Sequence, residues 1–302
     1  MGGSVLAVIG GLGAALCWTV SALCASSASQ AIGANSTLGW VMLIGLVIVI
    51  PPTAVLADPR QLTPAALALL SAAGASNVAG LLVEYLAFRR GKVGVITAIA
   101  STEGMVAAVI SAVAGARLGL VTGLLLGLVT LGVAVSAASP GNDAPPSEDT
   151  PAEGARRAPA GSRRRTVHWS VLAVTAALLF GVSLYTTGRA GQQVPVLWAV
   201  LPARLFGSAL VAAPLAARRR LRLTRRALPL VAAAGAAEVL GVLSYATGAR
   251  HDLPVAAVLA SQFAALTAVG AYFIHGQRLS RSQFAGLAAV VAGVTLLSAI
   301  SP

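Results

Sequence analysis

The chain reads as an all-α integral membrane protein of ten transmembrane helices, arranged as two inverted five-helix repeats. Three observations predict this. Of its 302 residues, 57% are hydrophobic and only 10% charged, with a mean hydropathy of +0.85, against about 25% charged in an ordinary soluble domain. The apolar residues gather into stretches of roughly 18 to 24, the length needed to cross about 30 Å of hydrocarbon at 1.5 Å per residue. The chain also matches itself when displaced by 161 residues, without a gap.

The first repeat, 1–138, carries spans at Val5 to Ala25, Leu38 to Leu56, Ala65 to Phe88, Val93 to Ala114 and Leu118 to Ala138. The first stretch has no basic residue before it and is read as a span, not a cleaved leader. A hydrophilic connector, 139–166, is rich in Pro, Gly, Ser and acids and ends in Arg163, Arg164 and Arg165. It has too little apolar surface to fold alone. The second repeat, 167–302, carries spans at Val167 to Thr187, Val194 to Ala216, Leu228 to Thr247, Val255 to Ile274 and Phe284 to Ile300.

In the 161-residue register, Ala72, Ala73, Gly74, Ala75, Val78, Gly80, Leu82 and Arg89 fall on Ala233, Ala234, Gly235, Ala236, Val239, Gly241, Leu243 and Arg250. Arg117-Leu118 then falls on Arg278-Leu279, and Gly132-Val133 on Gly293-Val294. Five spans per repeat is an odd number, so the second copy enters the membrane with the opposite orientation. Inverted repeats of this kind place a solute site near the bilayer midplane, between the copies, and work by alternating access.

Several segments resemble the EamA-type members of the drug/metabolite transporter superfamily. Gly276-Gln277-Arg278-Leu279-Ser280, followed by Gln283, Gly286 and Gly293, is similar to the closing signature of an EamA repeat. Ala15-Leu16-Cys17-Trp18 and Ala177-Leu178-Leu179-Phe180-Gly181 resemble the repeat-opening helices, and Arg204 resembles the Arg found early in a repeat's second helix. The chain departs from the pattern at Gln277 and Ala116, where Glu is usual, and near Glu103 and Phe263, where Pro is frequent. The resemblance implies a ten-helix secondary transporter, commonly an exporter of metabolites, amino acids or toxic compounds and sometimes proton-coupled, in the plasma or inner membrane.

An ionisable side chain within a bilayer costs several kcal/mol, about 2.5 to 3.5 on insertion scales, so an intramembrane acid points to function. Three of the nine acids lie inside apolar spans: Glu84, Glu103 and Glu238. Glu103 is the most central. A dry carboxyl keeps its proton and a wetted one releases it, which is what coupling to protons needs; the other reading of Glu103 is a neutral acid bonded across helices. Glu238 falls on Asn77 in the register, and the trios Asn77, Gly80, Glu84 and Glu238, Gly241, Tyr245 each share one helix face. Such polar, glycine-thinned faces suit a cavity between repeats, or else close helix packing with polar glue. Arg204 can pair with an acid or an anionic solute group, or anchor the span at the interface. Trp18, Tyr85 and Gln262 complete the candidate lining.

The expected partners are the lipid bilayer, a small organic solute and protons, for a monomer or a homodimer; the small-residue face Gly119, Gly123, Gly127 suits packing within the chain, or else a dimer contact. The net charge of +12 is accounted for by membrane orientation and calls for no nucleic acid. No Cys/His spacing of a zinc site, phosphate-binding loop or nucleophile elbow is present, so no enzymatic activity, cofactor or metal is expected. A non-transporting scaffold that holds anionic lipid is the alternative. The odd-numbered connections hold most of the arginines, which by the positive-inside rule places both termini outside, whereas the family resemblance implies termini inside.

Overall fold

The computed structural model describes residues 2–88, 99–116, 123–124, 127–128, 162–263 and 265–267. Among the described residues every regular element is helical. The first half contains α1 (Gly2–Ile32), α2 (Ala34–Leu56), α3 (Pro64–Phe88) and α4 (Glu103–Val113). The second half contains α5 (Ser162–Gln193), α6 (Val196–Gly207), α7 (Ala213–Ala217), α8 (Ala227–Ala249) and α9 (Leu253–Ala260). A π-helical turn, Ser208–Ala212, joins α6 to α7 so that Val196–Ala217 forms one span. Among the described residues, six helices are long and apolar enough to cross a membrane. The fifth and tenth expected spans lie almost wholly outside the described residues, as do residues 139–161 of the connector. The connector's end differs from expectation: α5 begins at Ser162, so Arg163 to Arg165 belong to its first turn.

Outward faces remain apolar: Val55 and Val113 are 82% and 85% exposed, a pattern suited to lipid and not to water. Inward faces are thinned by small residues, because helices in lipid gain their contacts through close approach. α1 packs along α8, and α3 along α5. A Cβ on Gly10 would lie 2.5 Å from Gly248 Cα, so these two backbones touch where neither residue has a side chain. The Ser244 hydroxyl donates to Gly10 O across the same contact at 3.0 Å.

Each half therefore packs chiefly against the other. The first helix of one repeat lies on the third helix of its partner, twice over. An aromatic side chain fills each contact. A Cβ on Gly241 would meet Trp18 Nε1 at 2.5 Å, and one on Gly80 would meet Phe180 Cε1 at 2.7 Å. This is close packing, the second of the two readings of the glycines on those faces.

The fourth expected span is not continuous. The chain is helical at residues 99–100, turns at Ser101 and Thr102, and restarts as α4 at Glu103. The ninth span does the same: α9 ends at Ala260, Ser261 and Gln262 form a turn, and helix resumes at Phe263. No proline is needed. The Thr102 hydroxyl donates to Ile99 O at 2.7 Å. Ser261 Oγ and Gln262 Nε2 both donate to Val258 O, at 2.8 and 2.7 Å. Side chains that bond to nearby carbonyls compete with the helical ladder, and here they tighten it into a turn.

The connections sort onto two faces. Ser36 and Trp40, at the start of α2, bond to the backbone of Arg220 and Arg222 between α7 and α8. Gln61, Gln192, Val194 and Arg250 meet on the opposite face.

Candidate functional site

Arg204 is the most deeply buried charge in the described structure, with its side chain 1% exposed. α6 carries it inward, and it is seated against α2 of the other half, where a Cβ on Gly45 would lie 2.9 Å from Arg204 Cδ. Glycine at that place makes room for the guanidinium stem. Nη2 donates to Glu238 Oε1 on α8 at 3.0 Å, and Nη1 approaches Met42 Sδ at 3.4 Å. Nε has no partner. Arg204 is thereby paired with an acid of the same half. Glu238 is the more open partner, at 22% exposed.

Glu103 opens α4, just past the turn at Ser101 and Thr102, on a helix end where the macrodipole favours a negative charge. It is 7% exposed and makes no hydrogen bond or ion pair among the described residues. Its surroundings are set by two crossings: Gly104 meets Val258 on α9 and Ser261 in the turn after it, and Gly181 on α5 lies against Val106 and the Glu103 carbonyl. Glu84 on α3 and Glu238 on α8 are close enough for their charges to act on Glu103. Glu103 thus stands within electrostatic reach of carboxyls on two other spans, one of which, Glu238, is paired with Arg204.

Trp18 borders this group. Its ring meets Tyr245 at 6.3 Å and Phe263 edge-on at 6.1 Å. Among the described residues its buried Nε1 has no acceptor, and the buried Gln262 Oε1 and Asn77 Oδ1 have no donor; Gln262 is 1% exposed. Tyr245 has another place than the expected lining: it is fully buried, and its hydroxyl donates to Leu184 O at 2.6 Å. It ties α8 to α5. Glu84 is half-buried on α3. Tyr85 follows it on the same helix, with its side chain outside the described residues.

Sequence reasoning missed the seat of Arg204 at Met42 and Gly45, and Thr19, whose hydroxyl donates to Ala15 O and to Phe263 O at 2.8 and 3.2 Å. A glycine within an apolar span facing a lone arginine was the available signal for the first. Nothing local marks the second, since its partner is 244 residues away.

A surface pocket of ≈ 490 Å³ lies away from the carboxyls, lined by Gln61, Gln192, Gln193, Val194, Pro195 and Arg250. The Arg250 guanidinium is spent there on the end of α5, donating to Gly191 O at 2.5 Å and Val194 O at 2.7 Å. Its place is that of a cap on carbonyls left free by a helix terminus.

The model of the EamA-like transporter family matches residues 5–138 and again 168–299. The chain belongs to the EamA-like transporter family. The two matched segments coincide with the two repeats, so the EamA unit occurs twice. A solved structure described only as the crystal structure of a protein is similar over 98% of this chain and 99% of its own, with a TM-score of 0.75 at 16% identity; it supports the fold alone. No curated protein matches. As an EamA-like protein of the drug/metabolite transporter type, the chain is a multi-pass membrane protein of a family of transporters, not enzymes, with a bilayer and a small-molecule substrate as partners.

Proposed function

We propose that the chain is a secondary active exporter of a small organic solute in the cell membrane, working by alternating access with protons as the coupling ion. The observation that carries this reading is the place of Glu103 at the start of a helix that resumes after a turn at 101–102, with a like break at 261–262, one residue from its counterpart in the 161-residue register. Broken helices at corresponding points of inverted repeats are where such transporters build their sites.

Glu238 and Glu103 have different duties. Glu238 has a fixed countercharge in Arg204 and serves as the polar anchor for solute. Glu103 has none among the described residues and serves as the proton carrier. It holds a proton while dry and yields it when the turn beside it opens to water on one side. Unpartnered polar atoms on Trp18, Asn77 and Gln262 offer one donor and two acceptors to a solute with complementary groups. The largely apolar surroundings favour a neutral, zwitterionic or amphipathic solute over a highly charged one.

Solute flux in proteoliposomes, with and without a pH gradient, tests this. Glu103→Gln is expected to abolish the response to the gradient while solute exchange at equal pH persists. Glu238→Gln is expected to weaken solute binding. If neither substitution alters flux or its pH dependence, proton coupling at this site is wrong.

A further inference from the structure

The connection between α7 and α8 carries Arg218, Arg219, Arg220, Arg222, Arg225 and Arg226, all exposed. No carboxylate pairs with any of them among the described residues. An unpaired basic loop is commonly a loose, solvated one. This one is held. The Arg222 amide donates to Ser36 Oγ at 3.2 Å, Ser36 Oγ donates to Arg220 O at 3.3 Å, and Trp40 Nε1 donates to Arg222 O at 2.9 Å. Leu221 reaches inward to Gly39, where a Cβ would lie 3.0 Å from its Cδ1.

The way α7 ends is a second observation. Arg220 N donates to Leu215 O at 2.8 Å and Arg219 N to Ala216 O at 2.9 Å, which is the Schellman arrangement. The residue at its left-handed position is normally glycine, because a Cβ is disfavoured there. Here it is Arg219, at φ 53°. A charged side chain occupies the one place in the turn where glycine would cost least.

We propose that this loop is a preformed docking site for the headgroups of anionic phospholipids in the adjoining leaflet. The loop joins two membrane-crossing segments, so it lies at headgroup depth, and basic clusters next to a span attract anionic lipid. The guanidiniums must do the holding. The first two amides of α8, at Ala227 and Leu228, are already bonded to Thr224 O at 3.0 Å each, and Pro229 has no N–H to give. Guanidinium forks suit the bidentate grip of phosphate oxygens. The proposal does not depend on the transport reading, since the lipid is a bound partner and not the cargo.

The test uses the full chain reconstituted in vesicles of equal phosphatidylglycerol and phosphatidylcholine, with the lipids that remain on the extracted protein counted by native mass spectrometry. Phosphatidylglycerol is expected to be retained roughly tenfold over phosphatidylcholine, in keeping with the pull of several clustered arginines. Arg218→Gln combined with Arg220→Gln and Arg222→Gln should bring the ratio to one. Arg219→Gly should raise the melting temperature by relieving the turn and yet lower retention. Ser36→Ala and Trp40→Phe, which leave every charge in place, should lower retention several-fold by freeing the loop. Equal retention of the two lipids by the unaltered chain would overturn the proposal. So would full retention in the two charge-neutral variants, or displacement of the lipid by glycerol phosphate at comparable concentration, which would mark a site for soluble anions.

Discussion

The contact of α1 with α8 and the contact of α3 with α5 are the same joint built twice, and they differ in charge. In both, an aromatic ring of a repeat's first helix covers a glycine in the third helix of the other repeat: Trp18 on Gly241, Phe180 on Gly80. Beside the first joint lies the Arg204 and Glu238 pair. Beside the second, Asn77 stands in the place of Glu238, and α2, the counterpart of α6, has no charged residue at all. The two joints share a steric design and differ in their charges, with Glu238 opposite Asn77 in the register and Glu84 opposite Tyr245. Packing between helices is what both copies need, whereas an asymmetric charge is of use to a site that must treat two faces of the membrane differently.

Removing the charge from one partner alone should have the largest effect on stability. Glu238→Leu leaves Arg204 buried without its carboxylate and is expected to cost about 3–5 kcal/mol, read as a fall in melting temperature in detergent. Making the second copy like the first, with Arg204→Leu and Glu238→Asn together, should recover most of that loss. If the double variant melts no higher than the single one, the pair is not the unit of difference between the two joints.

The steric half of the comparison calls for a smaller effect, equal on both sides. Gly241→Val and Gly80→Val each force a side chain into an aromatic ring and should cost about 1–3 kcal/mol. Thermal melts that differ widely between the two would break the equivalence of the joints.

The smallest effect is expected at Asp252, which lies between the spans of α8 and α9 and accepts from Val255 N at 3.1 Å as the cap of α9. Burial lifts its carboxyl above the usual range, against the pull of that hydrogen bond. The folded chain then holds this proton more tightly than the unfolded one, so stability falls as pH rises from the ordinary carboxylate range through the lifted value. Asp252→Asn keeps an acceptor for the cap and should flatten that dependence in melts taken across pH. Asp252→Ala removes the cap and should cost about 1 kcal/mol.

Much of this was legible in the sequence because a bilayer imposes length and polarity on each span separately. α2, α3 and α8 begin and end within a few residues of their apolar stretches. Others were harder to read. α1 runs on to Ile32, past Ala25, since Ser26, Ser27 and Ser29 interrupt the hydrophobic signal without interrupting the helix. The breaks at 101–102 and 261–262 were not visible, because hydroxyl and amide side chains turn a helix only when their bonds to nearby carbonyls outweigh the ladder.

By itself the sequence determined the membrane class, the EamA-like repeat and the short list of intramembrane charges. Each of these follows from composition, spacing or self-similarity along the chain. Only the tertiary structure decided that Arg204 belongs to Glu238, that Tyr245 is committed to Leu184, that the glycines of the polar faces seat aromatic rings, and that Glu103 opens a helix beside a turn. Those are relations between residues of different spans, and an apolar span carries no mark of which neighbour each of its faces will meet.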